Sequence, residues 1–169
     1  MAKYLKIGAS GKPQNESGLV TTTGVSDANK IIETGSDGLL DISLMPTGIG
    51  AATVVAPASE NLTAGNVVNL WLDTATLKVR KADASQGVTY SADGFVKANV
   101  TSGANATVYL SGTNSDLTGL TIGSEYFTSA TPGAVTSTVP TTTNHIVQSV
   151  GKAISATELA FFKGDVIIN

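Results

Sequence analysis

Residues able to do chemistry are few in this chain, and their spacing is poor for it. There is one histidine, His145, and no cysteine, so thiolate catalysis, disulfides and Cys/His metal ligation are all absent from the inventory. A nucleophile would have to be Ser or Thr, yet no G-x-S-x-G elbow occurs and no Ser-His-Asp set is singled out by spacing. Asp27, Glu33, Asp37 and Asp41 are scattered and do not follow the D-x-D-x-D-G order of a calcium loop. Asp73, Asp83, Asp93, Asp116 and Asp165 fall at turn positions, where an aspartate commonly caps its own backbone. The glycine-rich "GIGAAT" (48–53) lacks the Lys-Ser/Thr that completes a phosphate loop. The single tryptophan, Trp71, sits inside the apolar run "NVVNLWL", which suits packing or a subunit contact better than a sugar platform. The residues predict no catalytic site, no cofactor and no metal.

The elements that would have to position such residues are strands. The 169-residue chain is 41% hydrophobic and 14% charged, where about 25% charged is usual. Aromatics make up only 5%, so a core must be assembled from Val, Ile, Leu and Ala. Eighteen glycines, with abundant Thr, Ser and Asn, favour strands and turns over helices. A net charge of −3, with one short basic cluster at Lys78–Lys81, offers no nucleic-acid surface. In a strand, Lys78 and Arg80 would share a solvated face. No stretch approaches the roughly 18 apolar residues of a membrane span, and the start lacks a signal-peptide segment. These features predict synthesis in a cytoplasm without export.

Two regions differ in pattern. Residues 1–50 hold short apolar islands at Leu19-Val20, Ile31-Ile32, Leu39-Leu40 and Leu44-Met45, separated by glycines. None is long enough for a strand layer, and "SDANKIIE" offers at most a turn or two of helix. The spacing predicts an extended N-terminal arm whose islands drop into separate pockets of a partner. From residue 51 to 169 the pattern tightens into an all-β body. Strands are predicted at 66–72, 77–82, 94–100, 106–111, 124–129, 134–138, 145–151, 158–162 and 165–169. Asp73-Thr74-Ala75-Thr76, Ala92-Asp93-Gly94, Ser102-Gly103 and Lys163-Gly164-Asp165 are predicted to join neighbours as hairpins. Short strands at this density read as a small barrel or sandwich, of jelly-roll or β-tulip type.

The segment from Gly119 to Phe161 also carries a resemblance. Gly119-Leu120-Thr121, Gly123, Tyr126-Phe127, Pro132-Gly133, Thr136, Pro140, Gln148, Val150-Gly151, Ala153, Ser155, Thr157, Leu159 and Phe161 match a pattern common in virion proteins of tailed bacteriophages. The preceding strands are similar to capsid decoration, or cement, proteins, and the arm is similar to stretches of phage head and tail proteins, which implies synthesis in a bacterial host cytoplasm. That resemblance implies a structural protein on the outer capsid surface, often trimeric, tying neighbouring major capsid proteins together against internal DNA pressure. It implies a major capsid protein as partner and a homotrimer, with neither nucleic acid nor membrane contacted directly. A phage head-fibre or tail-fibre module, or a carbohydrate-binding β-domain, is the competing expectation. The arm residues expected to make the contact are Leu19, Val20, Ile31, Ile32, Leu39, Leu40, Leu44 and Met45.

Overall fold

A computed structural model describes residues 3–8, 10–28, 30–45 and 51–169. The chain divides into two compact units, Met1–Gly50 and Ala51–Asn169. Each is taken by itself below. The glycine-rich stretch at 48–50 lies outside the described residues.

The first unit contains a hairpin where no strand was expected. Strands β1 (Lys3–Ile7) and β2 (Pro13–Ser17) pair antiparallel, with Tyr4 opposite Glu16 and Leu5 opposite Asn15. "KYLKI" alternates, so Leu5 and Ile7 share one face while Tyr4 and Lys6 share the other. Beyond the hairpin, Leu19 and Ile32 form a parallel bridge. The Leu19 N–H donates to the Ile31 carbonyl at 2.8 Å, and the Glu33 N–H to the Leu19 carbonyl at 2.9 Å. The predicted helical turn is a three-residue 3-10 turn, Val25–Asp27.

The second unit is all-β, as the patterning requires. Its strands are β3 (Thr53–Pro57), β4 (Val67–Asp73), β5 (Thr76–Lys81), β6 (Gly94–Val96), β7 (Asn105–Tyr109), β8 (Gly112–Asn114), β9 (Glu125–Thr128), β10 (Val135–Thr136), β11 (Ile146–Ala153), β12 (Leu159–Phe161) and β13 (Val166–Ile168). One sheet runs β3-β7-β6-β4-β5. Its two edges meet: Ala58, just past β3, bridges Val79 of β5, and the Ser59 N–H donates to the Val79 carbonyl at 2.8 Å. The sheet is thereby closed into a small barrel. The second sheet runs β10-β9-β11-β12-β8, with β13 added alongside β11.

Closure explains the near-continuous apolar run of β4. Neighbouring residues in a strand face opposite ways. Val68 points into the barrel with Val79, Val96, Ala106, Val108, Ala56, Ala58 and Leu62. Val67 points outward, with Phe95, into a second core shared with Tyr126, Val150, Leu159 and Phe161 of the other sheet. Phe95 stacks on Tyr109 at 5.5 Å between ring centroids and meets Phe161 at 5.3 Å. The architecture is thus a barrel with a sheet packed on its outer wall.

Two of the predicted hairpins are replaced by longer-range pairings. Gly94 opens β6, which pairs with β4 and β7 and not with β5. Gly164 precedes β13, which pairs with β11 and not with β12. In both cases the turn residues were read correctly as a break. The partner was set by which apolar face needed covering, a property of the assembled layers. The Asp73–Thr76 turn does join β4 and β5.

Candidate functional site

The first unit has an unusual surface. Among its described side chains none is buried. Eight large hydrophobic residues are exposed there, Leu5, Ile7, Val25, Ile31, Ile32, Leu39, Leu40 and Met45, with Leu5 at 72% and Ile7 at 65%. Single exposed apolar residues are ordinary, but a unit that displays eight of them and buries none of its described side chains has no core among those residues. Polar ties hold its loops. The Asp27 carboxylate accepts from the Thr23 N–H at 2.8 Å, the Thr23 hydroxyl at 3.0 Å and the Lys30 ammonium at 2.8 Å. Lys30 first, then the Thr23 amide and hydroxyl, hold the Asp27 carboxyl well below the usual carboxylate range. The Tyr4 hydroxyl accepts from the Ile31 N–H at 3.2 Å, and the Ser43 hydroxyl accepts from the Thr22 N–H at 2.9 Å.

These ties sort the expected contact residues into groups. Leu19, Ile32 and Leu44 line one hollow of about 250 Å³. Val20, Leu39 and Leu40 line another of about 360 Å³. Leu19, Val20 and Leu44 are half-buried, whereas Ile31, Ile32, Leu39, Leu40 and Met45 are exposed. Leu5, Ile7 and Val25 were missed by the sequence reading. The alternation in "KYLKI" was the available signal for the first two.

On the body, the basic cluster is less solvated than its charge suggests. The Arg80 guanidinium lies over the Tyr90 ring at 3.4 Å and over the Trp71 ring at 4.7 Å. Its Nε donates to Asn69 Oδ1 at 2.9 Å. Asn69 in turn donates to the Ser91 carbonyl and to Asp93, and Asp93 accepts from the Leu70 N–H at 2.8 Å and pairs with Lys163 at 2.7 Å. Trp71 is therefore half-buried and has a cation on its ring, so it is not an open sugar platform. The turn acids act locally: Asp83 accepts from the Ser85 N–H at 2.8 Å, and Asp73 pairs with Lys78, which lowers its pKa. His145 contributes backbone bonds, its N–H to the Thr142 carbonyl and its carbonyl to the Asn169 N–H. Among the described residues no group of three His, Cys, Asp or Glu is placed to hold a metal ion.

No protein-family model matches the chain, and no curated protein matches it. A solved structure aligns with most of it. The head fibre gp8.5 N base of bacteriophage phi29 superposes with a TM-score of 0.43 at 15% identity, over 71% of this chain and 95% of that one.

Proposed function

We propose that the chain is a structural virion protein that binds the outer surface of a bacteriophage capsid and cements neighbouring major capsid proteins. The observation that carries this reading is the first unit: no described side chain is buried, and eight large hydrophobic residues are displayed. A segment of that kind gains stability by laying its apolar side chains against another protein. The resemblance of residues 119–161 to tailed-phage virion proteins supplies the class of partner, a major capsid protein. The closed barrel and its packed outer sheet suit a stiff anchor that resists tension between capsomers. Assembly as a homotrimer, with no catalytic turnover and no direct contact with nucleic acid or membrane, completes the proposal. On a symmetric shell, many modest contacts reinforce one another through effective concentration.

The test uses full-length protein mixed with expanded phage capsids. Leu39→Ser with Leu40→Ser, both at exposed positions, should abolish co-sedimentation with the shell while leaving the β spectrum intact. Unchanged co-sedimentation would overturn the contact assignment. Cryo-electron microscopy of decorated shells should show density lying across capsomer boundaries. Density projecting from isolated vertices or from the tail would favour the fibre alternative. Sedimentation equilibrium should return three times the chain mass, and a monomer would remove the trimer from the proposal.

A further inference from the structure

The stretch "GFVKANVTSGANATVYLSG" (94–112) builds a second feature, on the body and independent of the first unit. Val96 and Val108 pair across β6 and β7 and point into the barrel. Alternation therefore turns Lys97, Asn105, Thr107 and Tyr109 to the outer wall. The connecting loop from Ala98 to Ala104 rises beside them. Together they border a groove of about 400 Å³, within the size range of small-ligand sites. Its polar lining is Lys97, Asn99, Thr101, Asn105, Thr107 and Tyr109.

The Lys97 ammonium stands 5.1 Å from the Tyr109 ring centroid and 5.8 Å from that of Phe95. It takes part in none of the ion pairs among the described residues. Nor do the side chains of Thr101, Asn105 and Thr107 hydrogen-bond to any described residue. Asn99 uses its oxygen to accept from the Ala64 N–H at 3.0 Å, which leaves its amide donors spare. The groove thus gathers unpaired hydroxyl and amide groups and one cation without a carboxylate partner among the described residues.

We propose that this groove binds an acidic oligosaccharide. Side-chain hydroxyls and amides both donate and accept, which matches the hydroxyls of a sugar ring. The Tyr109 ring is stacked on Phe95 and carries Lys97, so it contributes its hydroxyl and not an open platform. Lys97 is placed for a carboxylate or sulfate carried on the sugar. A nucleic-acid backbone would need a cation for each of several phosphates, and only one faces the groove. An apolar ligand would leave the amides and hydroxyls desolvated without partners.

An array of acidic and neutral glycans, probed with full-length protein, tests the assignment. Acidic members should be retained and their uncharged counterparts of the same skeleton should not. Lys97→Ala should weaken binding about tenfold, the loss of one charge-assisted contact, and Thr107→Val severalfold. Both positions are exposed, so the fold should persist in each variant. Failure to bind any acidic glycan, equal binding to the neutral set, or binding unaffected by Lys97→Ala would each overturn the proposal.

Discussion

The side-chain amide of Gln148 pairs with the backbone of Ala92 as a peptide group would. Its oxygen accepts from the Ala92 N–H at 2.7 Å, and its nitrogen donates to the Ala92 carbonyl at 2.8 Å. The same oxygen accepts from the Thr128 hydroxyl at 3.1 Å. Gln148 is wholly buried, on β11 of the outer sheet, whereas Ala92 lies in the loop entering β6 of the barrel. One carboxamide thereby satisfies two backbone groups that have no ladder partner and fastens the two layers together.

Gln148→Leu keeps the volume and removes both bonds to Ala92, along with those to the Thr128 hydroxyl and the Gly164 carbonyl. Ala92 would then hold a buried N–H and a buried C=O unpaired, at a cost of roughly 2–4 kcal/mol. Urea unfolding should show a lower midpoint with an unchanged slope. A midpoint equal to that of the parent chain would show that water replaces the amide.

Gly151 follows three residues later, where the pairing of β11 with β9 shifts register between Ser149 and Gly151. Its φ is 150°, and an added Cβ would collide with the Ala160 carbonyl of β12. Gly151→Ala should therefore destabilise by about 2–4 kcal/mol through strain and steric displacement. A thermal melt followed at a β-sheet wavelength checks this. An unshifted melt would mean that the bulge relaxes freely.

Thr74 closes the β4–β5 hairpin with φ at 61°, a left-handed conformation that is costly for a β-branched residue. Thr74→Gly relieves that strain and should raise stability by roughly 1 kcal/mol. The gain should appear as slower unfolding in stopped-flow experiments, unless the hairpin is already formed in the folding transition state.

Asp27 makes the loops of the first unit acid-sensitive. Its carboxyl is lowered by Lys30 and Thr23, so it stabilises the folded form above its unfolded pKa, near 4. That contribution fades as pH falls below about 4 toward the depressed folded value. Amide exchange of residues 20–28 and 30–33 should accelerate, relative to its intrinsic pH dependence, on going from pH 5 to pH 2. Asp27→Asn should remove this dependence while raising exchange at pH 5. Salt should weaken the Lys30 share of the effect, because the pair is at the surface.

The body's strands were legible because each needs only a local pattern. "ATVYLS" and "LKVRKA" alternate; burial follows in the first, where Ala106 and Val108 are enclosed and Thr107 is exposed, but in the second Val79 is enclosed while Leu77 is exposed and Lys78 and Arg80 are half-buried. Short pieces escaped notice for an equally local reason. β8 is Gly-Thr-Asn, a turn composition that becomes a strand only because β12 lies beside it. β3 is "TVVAP", whose proline suits an edge, and its edge is met by β5 through the Ala58 bridge.

Of the candidate surfaces, the apolar islands of the first unit could be read residue by residue, since hydrophobicity is a property of each side chain. Their grouping could not: Leu19 meets Ile32 through a parallel bridge that no spacing rule announces. The groove on the body was hidden altogether. In "GFVKANV", Lys97 reads as one more charge on the solvated side of a strand. Composition and alternation alone determined an all-β chain with little reactive chemistry, because side-chain polarity and the two-residue strand period are local. Tertiary structure decided which strands closed the barrel, which backbone groups Gln148 satisfied, and where Lys97 stood unpaired beside Tyr109. Those depend on residues distant in the chain arriving at the same place.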